Sequence, residues 1–248
     1  QVRPFSGSRI SIQYIVKQLI EYKRLNYIRG WYNTVLGKSH TDSNVRLSEV
    51  DIDNCFKEET VPQLGKWDPV FVGIDFGQTC HLVLGTPTPM GDCRPFYFET
   101  IHVNNLIERI KEICSIYNVV SGACDRHPYT PTAEAVFEAS GKKIWPVEYK
   151  GTQPLNIVKD IEGNPVYWQV NRTNMLDAVA KSIRSGRLPI CGYGSYRTVI
   201  REHLRDMVRD EKPEEPAKWI KISGNDHFFH ALGFLLLSMK IPGVLMTV

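Results

Sequence analysis

The stretch Val70–Thr79, VFVGIDFGQT, constrains this chain more than any other. Its apolar run reads as a strand covered on both faces of a sheet. That run ends on a carboxylate, Asp75, with Gly77 close behind. A charge at the tip of a buried strand needs a partner, because desolvating it alone is costly. Two partners suit the position: a catalytic metal, or the phosphates of a nucleotide.

The pattern along the chain changes at Trp67-Asp68-Pro69. Before it, residues 1–66 read as a helical linker segment. Ile12, Ile15, Val16, Leu19 and Ile20 fall at helical spacing within a predicted helix over Ile10–Arg29. The stretch WYNTVLGKSH breaks at Gly37, and Ser48 caps a short helix that follows. After the break, residues 67–248 alternate strands and helices. VFVGIDFG, CHLVLGT and RPFYFETIHV read as a three-strand meander. An amphipathic helix over Asn104–Tyr117, the strand NVVSGACD, a helix over Thr130–Ser140 and the strand KIWPVEY complete a β-β-β-α-β-α-β order. NIVKDIEGNPVYWQVNR reads as a hairpin about Glu162-Gly163-Asn164. Helices are expected over Asn174–Ser185, Ser195–Arg209 and Asn225–Lys240, with KWIKIS as a short extended piece.

Three acids fall at the ends of these elements. Asp75 ends the first strand, Asp125 ends the fourth, and Asp226 opens the last helix. In the ribonuclease-H-like topology that this order matches, strands one and four are neighbours. A C-terminal helix then brings the third carboxylate over them. Such a cluster offers hard oxygen donors for Mg²⁺ or Mn²⁺. Two ions held there suit phosphodiester hydrolysis. A carboxylate before a helix can instead serve only as a cap, so Asp226 alone is ambiguous. His230 shares its helix face with Asp226 and is placed to orient a carboxylate, a water or a phosphate. His227 points elsewhere on that helix and reads as structural.

Composition excludes several other classes. The 248 residues carry a net charge of +3, so any nucleic-acid surface must come from local clustering of Lys and Arg. Lys150, Lys159 and Arg172 flank Tyr167 and Trp168 in the hairpin region, which suits a phosphate backbone. Arg197, Arg201 and Arg205 recur at helical spacing and share a face; with Arg184 and Arg187 they either line a phosphate track or merely solvate two helices. The six cysteines form no CxxC pair, which argues against structural zinc. The apolar run Phe228–Met239 is interrupted by His230 and is too short to span a bilayer. The chain begins at Gln1 and reads as part of something longer.

The stretches GIDFGQT, ACDRHPYT, NRTNMLDAVAKSIRSGRLPI and SGNDHFFHAL, in that order and spacing, resemble the C-terminal nuclease domain of the large subunit of tailed-phage DNA-packaging terminases. WYNTVLGKSH with LSEVDIDNC looks like the segment that joins the ATPase of that family to its nuclease. The resemblance covers Ile10 to Lys240. It implies a ribonuclease-H-like mixed sheet flanked by helices, two Mg²⁺ or Mn²⁺ ions, and double-stranded DNA as substrate. It carries over Asp75, Asp125 and Asp226 as the acidic triad. Some members have adjacent acids at the third position; here the neighbour is Asn225, which leaves the ligands of the second metal open. It also implies an ATPase region elsewhere in the full-length chain, a portal protein and a small terminase subunit as partners, and action in the host cell cytoplasm. No GxxxxGKS or GxxxxGKT occurs in this chain, so the motor itself is not here. The competing expectations are an actin-like ATPase or sugar-kinase fragment, to which GIDFGQT is also similar, and a non-catalytic DNA or portal docking module. A Holliday-junction resolvase or transposase would share the acids but not the N-terminal segment.

Overall fold

The computed structural model describes residues 11–24, 30–37, 46–151, 155–211 and 215–241. Seven strands form one mixed sheet: β1 (Val70–Asp75), β2 (Thr79–Pro87), β3 (Cys93–His102), β4 (Val119–Asp125), β5 (Ile144–Tyr149), β6 (Leu155–Lys159) and β7 (Pro165–Val170). Their spatial order is β3-β2-β1-β4-β5-β7-β6. The meander β1–β3 is antiparallel, whereas β1, β4, β5 and β7 run parallel to one another. The ribonuclease-H-like expectation holds, including the adjacency of β1 and β4. The hairpin does not stand apart; it extends the sheet beyond β5.

Side-chain alternation along the strands then separates two cores. Val70, Val72 and Ile74 of β1 pack with Leu82 and Leu84 beneath the helices α3 (Leu106–Ile116) and α4 (Thr130–Ala139). Val83, Ala123 and Val147 face the other way, toward α5 (Arg172–Arg184), α6 (Arg197–Asp206) and α7 (His227–Ser238). Asp75, Asp125 and Tyr149 share the parity of this second face. Two further helices precede the sheet, α1 (Ile12–Arg24) and α2 (Glu49–Cys55). No helix among the described residues is long and apolar enough to cross a membrane.

The helix α7 lies directly on the sheet. Ten of its twelve residues, Phe228 to Leu235 together with Leu237 and Ser238, are buried. Gly73 permits this contact: a Cβ there would lie 2.1 Å from the Ala231 carbonyl oxygen and 2.4 Å from the Leu235 nitrogen. Such overlaps have no rotamer solution, because the obstacle is helix backbone. Gly73 therefore sets how closely the start of α7 can approach the end of β1.

Several boundaries differ from those read in the sequence. The helix expected over Ser195–Arg209 ends at Asp206, and Met207–Asp210 becomes a strand, β8, paired with β9 (Lys218–Lys221). The last helix starts at His227 rather than Asn225. The expected first helix is present over Ile12–Arg24, with its remainder outside the described residues. The apolar residues Ile12, Val16 and Ile20 of α1 are exposed.

The change of composition at Trp67 does not mark the edge of the packed core. Ser48 caps α2 as expected, with Asp51 completing a capping box. Leu47, Ile52, Cys55 and Phe56 are buried in the same core as Ile183, Ile190 and Leu204. The backbone is stitched in as well: the Ile190 nitrogen donates to the Cys55 oxygen at 2.7 Å, and the Lys57 nitrogen to the Ile190 oxygen at 2.9 Å. Arg201 bonds Glu49 at 2.8 Å and Asp53 at 3.2 Å. Arg205 reaches Glu49 at 3.7 Å, and Arg197 lies over the Phe56 ring at 5.4 Å. The arginine face of α6 is thus engaged by the α2 segment.

A fragment that starts near Lys66 should therefore unfold at a clearly lower temperature than the full chain. Ile52→Ala alone should cost about 2–5 kcal/mol, as large-to-small changes in a closed core do. Thermal unfolding of both proteins checks this; a melting temperature unchanged by truncation would show that α2 merely decorates the core.

Candidate metal centre

Parallel strands bring their C-terminal ends to one edge of a sheet, which is where open α/β sheets place their sites. Here that edge carries Asp75 from β1, Asp125 from β4, Tyr149 from β5 and, just after β7, Arg172. All four line one open cleft, joined by Lys221, Asp226, His227 and His230. The structure thus brings Asp75, Asp125, Asp226 and His230 together.

The conformation of Asp226 resolves its ambiguity. It stands at the N-cap position of α7, yet its side chain makes no capping hydrogen bond. It points instead toward Lys221 Nζ at 3.6 Å and His230 Nε2 at 3.4 Å. The loop before it is pinned by Asp206, a residue to which the sequence reading gave no role. One Asp206 oxygen accepts from the Ser223 nitrogen at 2.8 Å and its hydroxyl at 2.7 Å. The other accepts from the Gly224 nitrogen at 2.9 Å and the Asn225 nitrogen at 3.0 Å. Burial alone would raise the Asp206 pKa, but these bonds outweigh it and hold the carboxyl below its usual range.

His230 is fixed from three sides. Its Nδ1 lies 2.7 Å from the Tyr149 hydroxyl, and its Nε2 lies 3.1 Å from Arg172 Nη2 and faces Asp226. Arg172 is held in turn by the Trp219 carbonyl oxygen, to which it donates at 2.7 Å. His227 is at the centre of the cluster, contrary to its reading as structural: its Nδ1 donates to Asp75 Oδ2 at 2.8 Å. That bond to Asp75 raises the His227 pKa despite partial burial.

The charges within the cleft are unevenly matched. Burial, reinforced by the charge of Asp75, raises the Asp125 pKa to about 7 against bonds donated by the His127 and Arg126 amides. Burial works to raise Asp226 too, but His230, Lys221 and His227 prevail and draw it down to about 2. Asp125 is therefore less compensated by positive charge than Asp226. Oxygen donors short of positive charge are the donor set that hard divalent ions take.

The basic residues expected to meet DNA are distributed by topology. Lys150 follows β5 and Arg172 follows β7, so both lie at the acidic edge. Lys159 pairs with Pro165 at the start of β7 and lies at the opposite edge, a strand length away. Lys159 therefore does not share a patch with Lys150 and Arg172. Of the two aromatics, Trp168 packs on the core, while Tyr167 lies under the guanidinium of Arg126, 4.0 Å from its centroid. Arg126, next to Asp125, is a cation near the cleft that the sequence reading passed over.

No family model and no curated protein matches the sequence. Solved structures do match. The large terminase nuclease from thermophilic phage G20c superposes with a TM-score of 0.51 at 13% identity, over 75% of this chain and 94% of that one. The large terminase of bacteriophage HK97 gives 0.51 at 13% identity, over 94% of this chain and 52% of that one. The large terminase nuclease domain of Thermus phage P74-26 gives 0.50 at 13% identity, over 75% and 91%. The chain thus spans nearly all of the isolated nuclease domains and about half of the HK97 protein. The likeness is one of fold, and the fold is that of phage large terminase nucleases.

In metal-free protein, the raised Asp125 pKa means that the folded state holds a proton that the unfolded chain releases between pH about 4 and about 7. Asp125 therefore weakens the fold progressively as pH rises through that window. The stability gained by Asp125→Asn over the unaltered protein should grow from pH 4 to pH 7 and then level off. Thermal midpoints measured in chelator across that range check this; a gain independent of pH would show that Asp125 titrates normally.

Proposed function

We propose that this fold serves a divalent-metal-dependent nuclease that cuts double-stranded DNA, within a longer chain that packages a phage genome. The observation that carries this reading is the convergence of Asp75, Asp125 and Asp226 in one cleft, with Asp226 left unused as a cap. A cap or a fold-stabilising acid has no reason to meet two other carboxylates, whose mutual repulsion costs stability.

In this reading Asp75 and Asp125 hold one Mg²⁺ or Mn²⁺, and Asp75 with Asp226 holds or organises a second. A bound pair of such ions supplies an activated water and stabilises the departing 3′ oxygen of a phosphodiester. The surrounding residues do the positioning. His227 fixes one oxygen of Asp75, and His230 fixes Asp226 while Tyr149 and Arg172 fix His230. Arg172 and Lys221 place positive charge on the cleft wall, where a phosphate would enter. Lys150, at the same edge, extends that charge along the backbone of the duplex. The ATPase region, the portal protein and the small terminase subunit are the partners that the terminase reading brings, with action in the host cytoplasm.

Asp75→Asn, Asp125→Asn and Asp226→Asn should each reduce plasmid cleavage to near background while the protein stays folded. Cleavage should require Mg²⁺ or Mn²⁺ and stop in EDTA. Robust cutting in EDTA, or near-normal activity of any one variant, would remove that element of the mechanism.

DNA contact through phosphates should weaken with salt by about 0.9 log units per log unit of salt for each phosphate neutralised. Lys150→Ala should flatten that slope and Lys159→Ala should not, because only Lys150 lies at the acidic edge. Equal effects of the two variants would place the duplex along the hairpin instead.

A further inference from the structure

The side of Asp75 away from Asp125 carries a second set of donors. β2 pairs antiparallel with β1, and in that register His81 is the direct partner of Asp75. Directly opposed residues present their side chains on the same face. His227, the first residue of α7, stacks on His81 and bonds Asp75. A ring nitrogen of His81, a ring nitrogen of His227 and an oxygen of Asp75 all lie within 4.8 Å of one another. The two imidazoles are stacked, with centroids 4.5 Å apart and planes inclined by 12°.

Packing does not account for this arrangement. His81 is 93% buried, with 7% of its surface exposed, and its Nδ1 has no hydrogen-bond partner. An apolar side chain would fill the space against Phe228 without stranding a polar atom. His203, the third imidazole nearby, is different: its Nδ1 accepts from the Phe228 nitrogen at 3.1 Å, so it is committed to the backbone. Among the described residues, His81 and His227 are the imidazoles whose nitrogens meet an Asp75 oxygen within 4.8 Å.

We propose that Asp75, His81 and His227 form a cation site of mixed nitrogen and oxygen donors, selective for Mn²⁺, Co²⁺ or Zn²⁺ over Mg²⁺. Bonds of roughly 2.0–2.2 Å to each donor place ligands roughly 3–4 Å apart, so the two stacked rings must tilt toward one another to close the site. Imidazole suits these borderline ions, whereas Mg²⁺ keeps to oxygen. The site shares Asp75 with the nuclease centre and rests on that reading only for this shared carboxylate; its ion is a further one, distinct from the pair placed at Asp125 and Asp226. The donors come from β2 and the helix start, not from an acid beside Asp226.

Pulsed electron paramagnetic resonance on the full chain with Mn²⁺ tests this directly, because a bound imidazole leaves a nitrogen hyperfine coupling. The unaltered protein should show that coupling, and a hundredfold excess of Mg²⁺ should not remove it. Asp125→Asn, which strips the carboxylate site, should retain it. His81→Leu, an apolar replacement that preserves packing, should reduce the coupling to that of one nitrogen and bind Mn²⁺ about 10- to 100-fold more weakly; His227→Gln should behave alike, and the double variant should lose the coupling. Absence of coupling in the unaltered protein overturns the proposal whatever the variants do, as does coupling that survives both histidine substitutions in folded protein. Plasmid cleavage abolished by Asp75→Asn without any nitrogen coupling would leave the nuclease reading standing and sink this site. Coupling without any cleavage would do the reverse.

Discussion

The contact between α7 and β1 governs the rest of this structure. The missing side chain at Gly73 lets the Ala231 carbonyl and the Leu235 amide settle against the strand. Everything functional at the start of α7 depends on that approach. Asp226, His227 and His230 reach the strand tips only because the helix axis lies this close. Burial of nearly every residue of α7 supplies the driving force, and the glycine removes the obstacle.

Around that contact the molecule arranges charge in opposing layers. Asp125 is buried beside Asp75 and stays undercompensated, while Asp226 is surrounded by His230, Lys221 and His227. Two carboxyls in one cleft thus have pKa values pushed apart, a pattern that favours a cation at one end and a fixed anion at the other. Asp206 does the corresponding mechanical work from outside the cleft. Its four accepted bonds shape the Ser223–Asn225 loop and so aim Asp226.

The N-terminal segment belongs to the same physics. α2 covers the far side of the α5–α6 layer, with Ile52 and Phe56 buried and Glu49 and Asp53 meeting the arginines of α6. A residue series that looks like a basic face in sequence is therefore part of an interface within the chain. The exposed apolar stripe of α1 has no such cover among the described residues.

Much of the fold was legible in the sequence, because it is written in local periodicity. Apolar runs bounded by turn residues marked the strands, a cap at Ser48 marked α2, and three aspartates stood at element ends. The adjacency of β1 and β4 followed from the β-β-β-α-β-α-β pattern. The sequence alone could not decide between cap and ligand for Asp226, because both roles occupy the same position and differ only in where the side chain turns. Nor could it place His227 on Asp75 or set His81 opposite it, since those contacts depend on helix phase and on the antiparallel register of β1 and β2. It placed Lys159 with Arg172 because they are near in sequence, whereas the antiparallel β6–β7 hairpin leaves Lys159 at its turn and Arg172 beyond its open end, a strand length away. Local structure is a property of neighbouring residues and can be read from them. Convergence of a site is a property of long-range pairing, and only the tertiary structure determines it.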